Sequence, residues 1–137
     1  MGYWTKKRVQ KYMRFILGYD IHIQYYHPKI EKEYAACVFL KNTKEDCILV
    51  ISQPSFIARS ILWHEAGHVE TFDTKTPIEC EVNAHMWAVT EAKKRGYSKI
   101  VKELYLDLDQ WDNPSLNLKY KKARKIILKK LEKMEER

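Results

Sequence analysis

Residues 61–89 read ILWHEAGHVETFDTKTPIECEVNAHMWAV, two helical segments joined by a polar turn. His64 and His68 stand four positions apart, and Glu65 directly follows the first of them. Residues four apart in an α-helix lie on one face, so the two imidazoles can reach one cation. Glu65 is placed to act on a water at that cation, which is the arrangement of the H-E-x-x-H motif. The stretch therefore predicts a metal site.

The surroundings of the motif favour a metal over a chance occurrence of the pattern. Residues 53–72, QPSFIARSILWHEAGHVETF, predict a helix from about Pro54 to Glu70 that is apolar on most sides and buried at the centre of its domain. Burying histidines and a glutamate there without partners would be costly, and a metal ion with its water removes that cost. Gly67 leaves room for another element to approach the site closely.

A catalytic zinc needs a third protein ligand and an open coordination position. The candidates that follow the motif are Asp73, Glu79, Glu81 and His85. Glu79 fits a capping box that starts at Thr76, with Pro77 at the first helical position, so the start of the second helix already explains it. Asp73, in the polar turn, and Glu79 remain alternatives as ligands. The second helix is expected to continue to about Lys94 and to end before Gly96.

Glu81 and His85 are four apart and therefore share one face of the second helix with the small residues Ala84 and Ala88. Small residues allow this helix to press against the H-E-x-x-H helix, which makes Glu81 the favoured third ligand. His85 would lie one turn away from that ligand. It could donate a hydrogen bond to a ligand, stabilise an oxyanion, or simply be hydrogen-bonded between packed helices.

The remaining segments predict an α+β fold. Thr5 to about Leu17 has the apolar spacing of a helix, with Gly18 as its terminator. Strand patterns occur in DIHIQYYH, YAACVFLK and DCILVIS, at residues 20–27, 34–41 and 46–52, with a hairpin loop at 42–45. Further helices are expected at residues 98–111 and from 118 to near the end of the chain. We expect one domain, residues 1–137, with a short, mostly antiparallel sheet packed on the H-E-x-x-H helix and the following glutamate-bearing helix, and with a helical C-terminal part.

Composition indicates an ordinary globular protein of the cytoplasm. The three cysteines show no C-x-x-C spacing, which is typical of a reducing compartment, and no signal peptide or membrane-spanning run is visible. The formal net charge is +7, and lysines of the last helix are its main source. A solvated surface explains such a helix, and contact with nucleic acid is an alternative that no interleaved aromatic residues support.

The H-E-x-x-H motif and the helix that follows it resemble a known family. HEAGH at 64–68, followed by EVNAHMWA at 81–88, looks like the gluzincin pattern H-E-x-x-H, then E-x-x-A-x-x-(aromatic)-A. The order of helix, strands, H-E-x-x-H helix and glutamate helix is most similar to the ImmA/IrrE-type metallopeptidases, bacterial and phage proteins whose characterised members act on DNA-binding repressors. The resemblance covers about residues 34–92. Related families often have Asp or Asn where His85 stands.

The resemblance implies a zincin-like fold with zinc held by His64, His68 and Glu81, and with Glu65 as general base. It also implies hydrolysis of peptide bonds in a protein substrate, for which a DNA-binding regulator is one candidate. We expect an oxyanion donor from His85 or from a tyrosine, the candidates being Tyr25, Tyr26 and Tyr105. The edge strand at 34–41 could hold an extended substrate. The alternatives are a non-catalytic zinc protein and a basic module that binds nucleic acid or a regulator through residues 121–130.

Overall fold

A computed structural model describes residues 3–25, 34–72 and 76–135. Within these ranges the protein has an α+β architecture of five α-helices and one three-stranded sheet. In chain order the elements are α1 (Lys6–Leu17), β1 (His22–Tyr25), β2 (Ala35–Phe39), β3 (Cys47–Ile51), α2 (Arg59–Glu70), α3 (Pro77–Lys94), α4 (Ser98–Gln110) and α5 (Leu118–Glu135). None of the described helices has both the length and the apolar character that crossing a membrane requires.

Three helix boundaries follow from local capping chemistry, and they lie within one residue of the predicted ends. Thr5 precedes α1 and accepts a hydrogen bond from the backbone N–H of Arg8, while Gly18 ends the helix with a φ of 86°. Thr76 precedes α3 and accepts from the backbone N–H of Glu79. Pro77 stands at the start of α3, where its missing N–H costs nothing.

The sheet has the order β1-β3-β2, and the prediction of a mostly antiparallel sheet is wrong. β2 and β3 form the expected antiparallel hairpin, with a short 3₁₀ helix at Lys44–Asp46 in the connection. β1 pairs in parallel with β3, His22 opposite Ile48. Alternating apolar residues occur in both kinds of pairing, so the sequence pattern carries no information about strand direction.

The start of α2 also differs from the prediction. Residues 54–56 form a turn, Ala58 is extended, and the helix begins at Arg59 without a side-chain cap. The turn is held by the N-terminal segment: the backbone N–H of Trp4 donates to the carbonyl of Pro54, and its indole N–H donates to the carbonyl of Ile57 at 2.9 Å. A contact between residues about fifty positions apart overrides the local preference of Pro54 for a first helical turn.

α2 lies at the centre of the described fold, in contact with α1, α3, α4 and β2. Its Leu62, Trp63 and Ala66 are buried in the main apolar core. A Cβ on Gly67 would come within 2.1 Å of the carbonyl oxygen of Ala84, so only glycine permits the observed approach of α2 and α3. This approach brings the motif face of α2 against the face of α3 that bears Glu81.

Candidate metal centre

The two histidines of the motif and Glu81 meet at one point between α2 and α3. The Nε2 atom of His64 lies 3.0 Å from Oε1 of Glu81, and Nε2 of His68 lies 3.2 Å from the same oxygen. His64 and Glu81 are buried, and His68 is partly buried. Glu81 reaches this position because the small residue Ala84 and Gly67 allow the two helix axes to approach.

These separations fit a small cation with tetrahedral ligands. Bonds of about 2.0 Å to zinc imply ligand atoms about 3.3 Å apart, close to both nitrogen–oxygen distances observed at Glu81. Neutral imidazole nitrogens with one carboxylate oxygen are also a ligand set that zinc accepts in catalytic sites. The residues present therefore fit a zinc ion.

A second carboxylate, that of Glu65, flanks the histidines. One ligand atom from each of His64, Glu65 and His68 lies within 4.8 Å of the others, so this group alone could also hold an ion. Glu81 approaches the two histidine nitrogens to 3.0 and 3.2 Å, whereas the ligand atoms of the group with Glu65 lie only within 4.8 Å of one another. Oε1 of Glu65 instead accepts a hydrogen bond of 3.0 Å from the backbone N–H of Cys37.

Cys37 ties the motif helix to the edge of the sheet. The backbone N–H of Cys37, in β2, donates a hydrogen bond to the side chain of Glu65. Its thiol donates to the backbone carbonyl of Glu65 at 3.3 Å. A hydrogen bond to Cys47, burial and the negative charge of Glu65 raise the pKa of the Cys37 thiol well above its ordinary value. The thiol therefore stays protonated and acts as a donor.

Hydrogen bonds fix the tautomer of His85. Its Nε2 atom lies 2.9 Å from the backbone carbonyl of Leu104, an acceptor only, so Nε2 carries the proton and donates. Burial, together with the nearby His64, lowers the pKa of His85 to about 3, which keeps the ring neutral. Nδ1 of His85 is therefore an acceptor, and it lies 3.0 Å from Nδ1 of His64.

The tautomer of His85 determines which way His64 presents its lone pair. Because Nδ1 of His85 accepts, Nδ1 of His64 must carry the donated proton. A neutral His64 then has a bare lone pair on Nε2, and that atom faces the carboxylate oxygen of Glu81 at 3.0 Å. Two acceptors would repel at that distance, so a proton or a metal ion between them would stabilise this arrangement.

The pKa shifts of Glu81 and His68 favour the binding of a cation at the site. Burial alone would raise the pKa of Glu81, but its contacts with the imidazoles of His64 and His68 hold it well below its ordinary value. Burial alone would lower the pKa of His68, but the hydrogen bond to Glu81 and the charges of Glu65 and Glu81 raise it. Glu81 is therefore held in its ionised form, which is the form that binds a cation.

α4 and α5 complete the surroundings of the centre. The indole ring of Trp111 lies edge-on to the rings of His64 and His85, at centroid distances of 5.4 and 4.9 Å. The ammonium group of Lys119 lies 3.6 Å from Oε2 of Glu81, the oxygen turned away from the histidines. Neither residue was predicted as part of the site, because nothing local in α4 or α5 indicates contact with α2 or α3.

The other site residues considered from the sequence lie as follows. Glu79 is exposed in the first turn of α3, where its backbone takes part in the cap. The hydroxyl of Tyr25 donates to the carbonyl of Trp4, and that of Tyr105 lies 3.4 Å from Glu135. Asp73 and Tyr26 fall outside the described residues. β2 does lie at an edge of the described sheet.

No protein-family model, curated protein or solved structure matches this chain. The resemblance to the ImmA/IrrE-type metallopeptidases therefore stays a prediction from the sequence motif. The distances among His64, His68 and Glu81 support a metal centre independently of that resemblance.

Proposed function

We propose that this chain is a zinc-dependent metallopeptidase, with His64, His68 and Glu81 as the zinc ligands. The observation that carries the proposal is the convergence of His64 Nε2 and His68 Nε2 on one carboxylate oxygen of Glu81, at 3.0 and 3.2 Å. Two imidazole nitrogens that meet one carboxylate oxygen at this spacing are the arrangement expected for ligands that share an ion.

In this proposal zinc supplies Lewis acidity toward a water and toward the carbonyl oxygen of the substrate. Side chains of the protein transfer the protons. Glu65 is buried beside the histidines, and the amide of Cys37 holds one of its carboxylate oxygens. Glu65 accepts a proton from the attacking water and passes it to the leaving amine, as a general base and then a general acid.

His85 acts through His64 and not on the substrate. Both of its ring nitrogens are already hydrogen-bonded, one to His64 and one to the carbonyl of Leu104. An oxyanion donor needs a free N–H, so the geometry favours His85 as a positioning residue that fixes the ring of His64. This assignment replaces the expectation that His85 itself is catalytic.

The test combines metal content with turnover. Purified protein should hold close to one equivalent of zinc, and it should cleave a denatured protein such as casein or members of a fluorogenic peptide library. Glu65→Gln should retain zinc and lose about 100-fold to 10,000-fold in rate, the usual contribution of a general base. Zinc bound with equal activity in wild type and Glu65→Gln would contradict the assignment of Glu65.

A non-catalytic zinc protein is the second candidate, and the burial of Glu65 and Glu81 favours it, because a closed site suits a structural metal. The same experiment separates the two candidates. A structural site would bind zinc, lose stability on chelation and show no cleavage of any peptide in the library. The third candidate is the basic module at residues 121–130. Among the described residues, no contact of that segment with the metal centre supports it.

A further inference from the structure

The charges in the first turn of α5 interact unfavourably with the dipole of that helix. Lys119, Lys121 and Lys122 lie in or next to that turn, and it contains no acidic residue. The N-terminal end of a helix bears partial positive charge, so cations there cost about 0.3–1 kcal/mol each at exposed positions. Local conflicts of this kind are expected at functional sites, where another requirement outweighs stability.

A groove of about 420 Å³ lies between the first turns of α3 and α5. Its described walls include Pro77 and Ile78 from α3, and Leu118, Lys119 and Lys122 from α5. Ile78 stands three positions before Glu81, so it lies one turn away on the same face of α3.

Lys119 joins this groove to the metal centre, since its ammonium group lies 3.6 Å from Oε2 of Glu81. The side chain of Lys119 lines the groove and is 28% exposed. One end of the groove therefore adjoins Glu81, the proposed third ligand of the zinc ion.

The lining has the properties of a site for a negatively charged group. Lys122 is exposed and has no ion-pair partner among the described residues, and the described lining contains no acidic side chain. The apolar contacts come from aliphatic side chains, with Leu118 60% exposed. None of the described lining residues is aromatic, whereas single-stranded nucleic acids are usually held by stacking of bases on aromatic rings.

We propose that this groove binds an acidic side chain of the substrate, with a neighbouring aliphatic residue against Ile78 and Leu118. The carboxylate meets Lys119 and Lys122, so the protein selects acidic segments beside the bond to be cleaved. The cleavage part rests on the proposed peptidase function. Selective binding of acidic peptides does not, and it is measured without turnover.

The experiment uses zinc-loaded Glu65→Gln protein, so that peptides stay intact whether or not the wild type cleaves them. The probe is a fluorescein-labelled peptide with two Leu-Glu pairs in an alanine–glycine background, and its matched control carries Leu-Gln pairs. Fluorescence anisotropy gives the dissociation constants. The Leu-Glu peptide should bind about tenfold tighter than the Leu-Gln peptide at 0.1 M salt, from two partly exposed ion pairs.

Variants on the same background test the two lysines. Lys122→Met and Lys119→Met should each weaken binding of the Leu-Glu peptide about threefold, as expected for partly exposed ion pairs. Lys129→Met is the matched control, because Lys129 is exposed on the same helix outside the groove. It should change binding less than about 1.5-fold, since its charge is separated from the groove by roughly two helical turns and is screened by salt.

Equal binding of the two peptides would overturn the proposal, and so would an equal loss in Lys129→Met and Lys122→Met. Displacement of the peptide by a single-stranded oligonucleotide of the same charge at a lower concentration would assign the groove to nucleic acid instead. Cleavage of the Leu-Glu peptide by the wild type is scored separately. Binding without cleavage would support the groove as a site for acidic peptides and would contradict the proposed peptidase function.

Discussion

The Nδ1 atoms of His64 and His85 lie 3.0 Å apart in the buried space between α2 and α3. Since the carbonyl of Leu104 takes the proton of His85 Nε2, His64 is the donor in this contact. A chain of hydrogen bonds thus runs from a backbone carbonyl of α4 through His85 to His64, whose Nε2 atom faces the carboxylate of Glu81. It orients the His64 ring and exposes one lone pair toward Glu81.

His85→Phe should weaken zinc binding about 10-fold to 100-fold, the usual cost of removing the hydrogen-bond partner of a metal ligand. It should also lower the free energy of unfolding by about 1–3 kcal/mol, because a buried carbonyl and an imidazole N–H lose their partners. Zinc affinity is measured by competition with a chelating dye, and stability by urea unfolding. His22→Phe, at an exposed position of β1, is the control. A zinc affinity of His85→Phe equal to that of the control would remove the positioning role.

The ring of His85 should remain neutral in the metal-free protein from pH 8 to pH 5, with its proton on Nε2. Its pKa is lowered from an ordinary value of 6.5 to about 3, because burial and His64 disfavour the charged form. Protonation therefore favours the unfolded chain, and His85 lowers stability progressively as the pH falls from 6.5 toward 3. Nitrogen-15 NMR of the imidazole nitrogens follows the ring directly, and a titration midpoint above pH 5 would contradict the assignment.

Glu81→Gln should reduce zinc affinity about 100-fold or more. Losing the hydrogen-bond partner of a ligand costs up to about 100-fold, and in this variant the ligand itself is lost. Glu79→Gln should leave the affinity unchanged, since Glu79 is exposed in the first turn of α3. Competition with a chelating dye measures both variants under the same conditions. If Glu79→Gln lost zinc and Glu81→Gln retained it, the third ligand would be misassigned.

Gly67→Ala should destabilise the protein although alanine is the better helix former. The gain in helix propensity is about 1 kcal/mol, whereas a Cβ within 2.1 Å of a backbone oxygen forces α2 and α3 apart, with a net loss of about 2 kcal/mol or more. Zinc affinity should fall with it, because α3 carries Glu81.

Gly96→Ala is the matched control for this clash. Gly96 has a φ of 81° and open space at its Cβ position, so alanine adds strain of about 1–2 kcal/mol without moving α3. Thermal unfolding and zinc titration compare the two variants. Unchanged zinc affinity in Gly67→Ala would show that the close approach of α2 and α3 is not required for the centre.

Much of the helical part of the fold could be predicted because its signals are local. Thr5 with Gly18, and Thr76 with Pro77, mark helix ends through hydrogen bonds within a few residues. The four-residue spacing of His64 and His68 and the position of Glu81 on α3 likewise follow from helix geometry alone. The meeting of these three residues required only that the two helices pack, which Gly67 and Ala84 indicate.

The features that sequence analysis missed depend on contacts between distant residues. The segment at 54–58 is held by Trp4, and the direction of β1 is determined by pairing with β3, not by its own pattern. The contacts of Lys119 with Glu81 and of His85 with Leu104 join different helices. No local propensity encodes such pairs, and in one sequence they become visible only after the helices are packed.

The central claim is that His64, His68 and Glu81 hold one zinc ion. A crystal structure with anomalous diffraction data collected on both sides of the zinc absorption edge tests it most directly. The account predicts one anomalous peak at about 2.0–2.2 Å from Nε2 of both histidines and from a carboxylate oxygen of Glu81, with Glu65 not bound to the ion. A peak bound to Glu65 in place of Glu81, or zinc-treated crystals without a peak between α2 and α3, would contradict it.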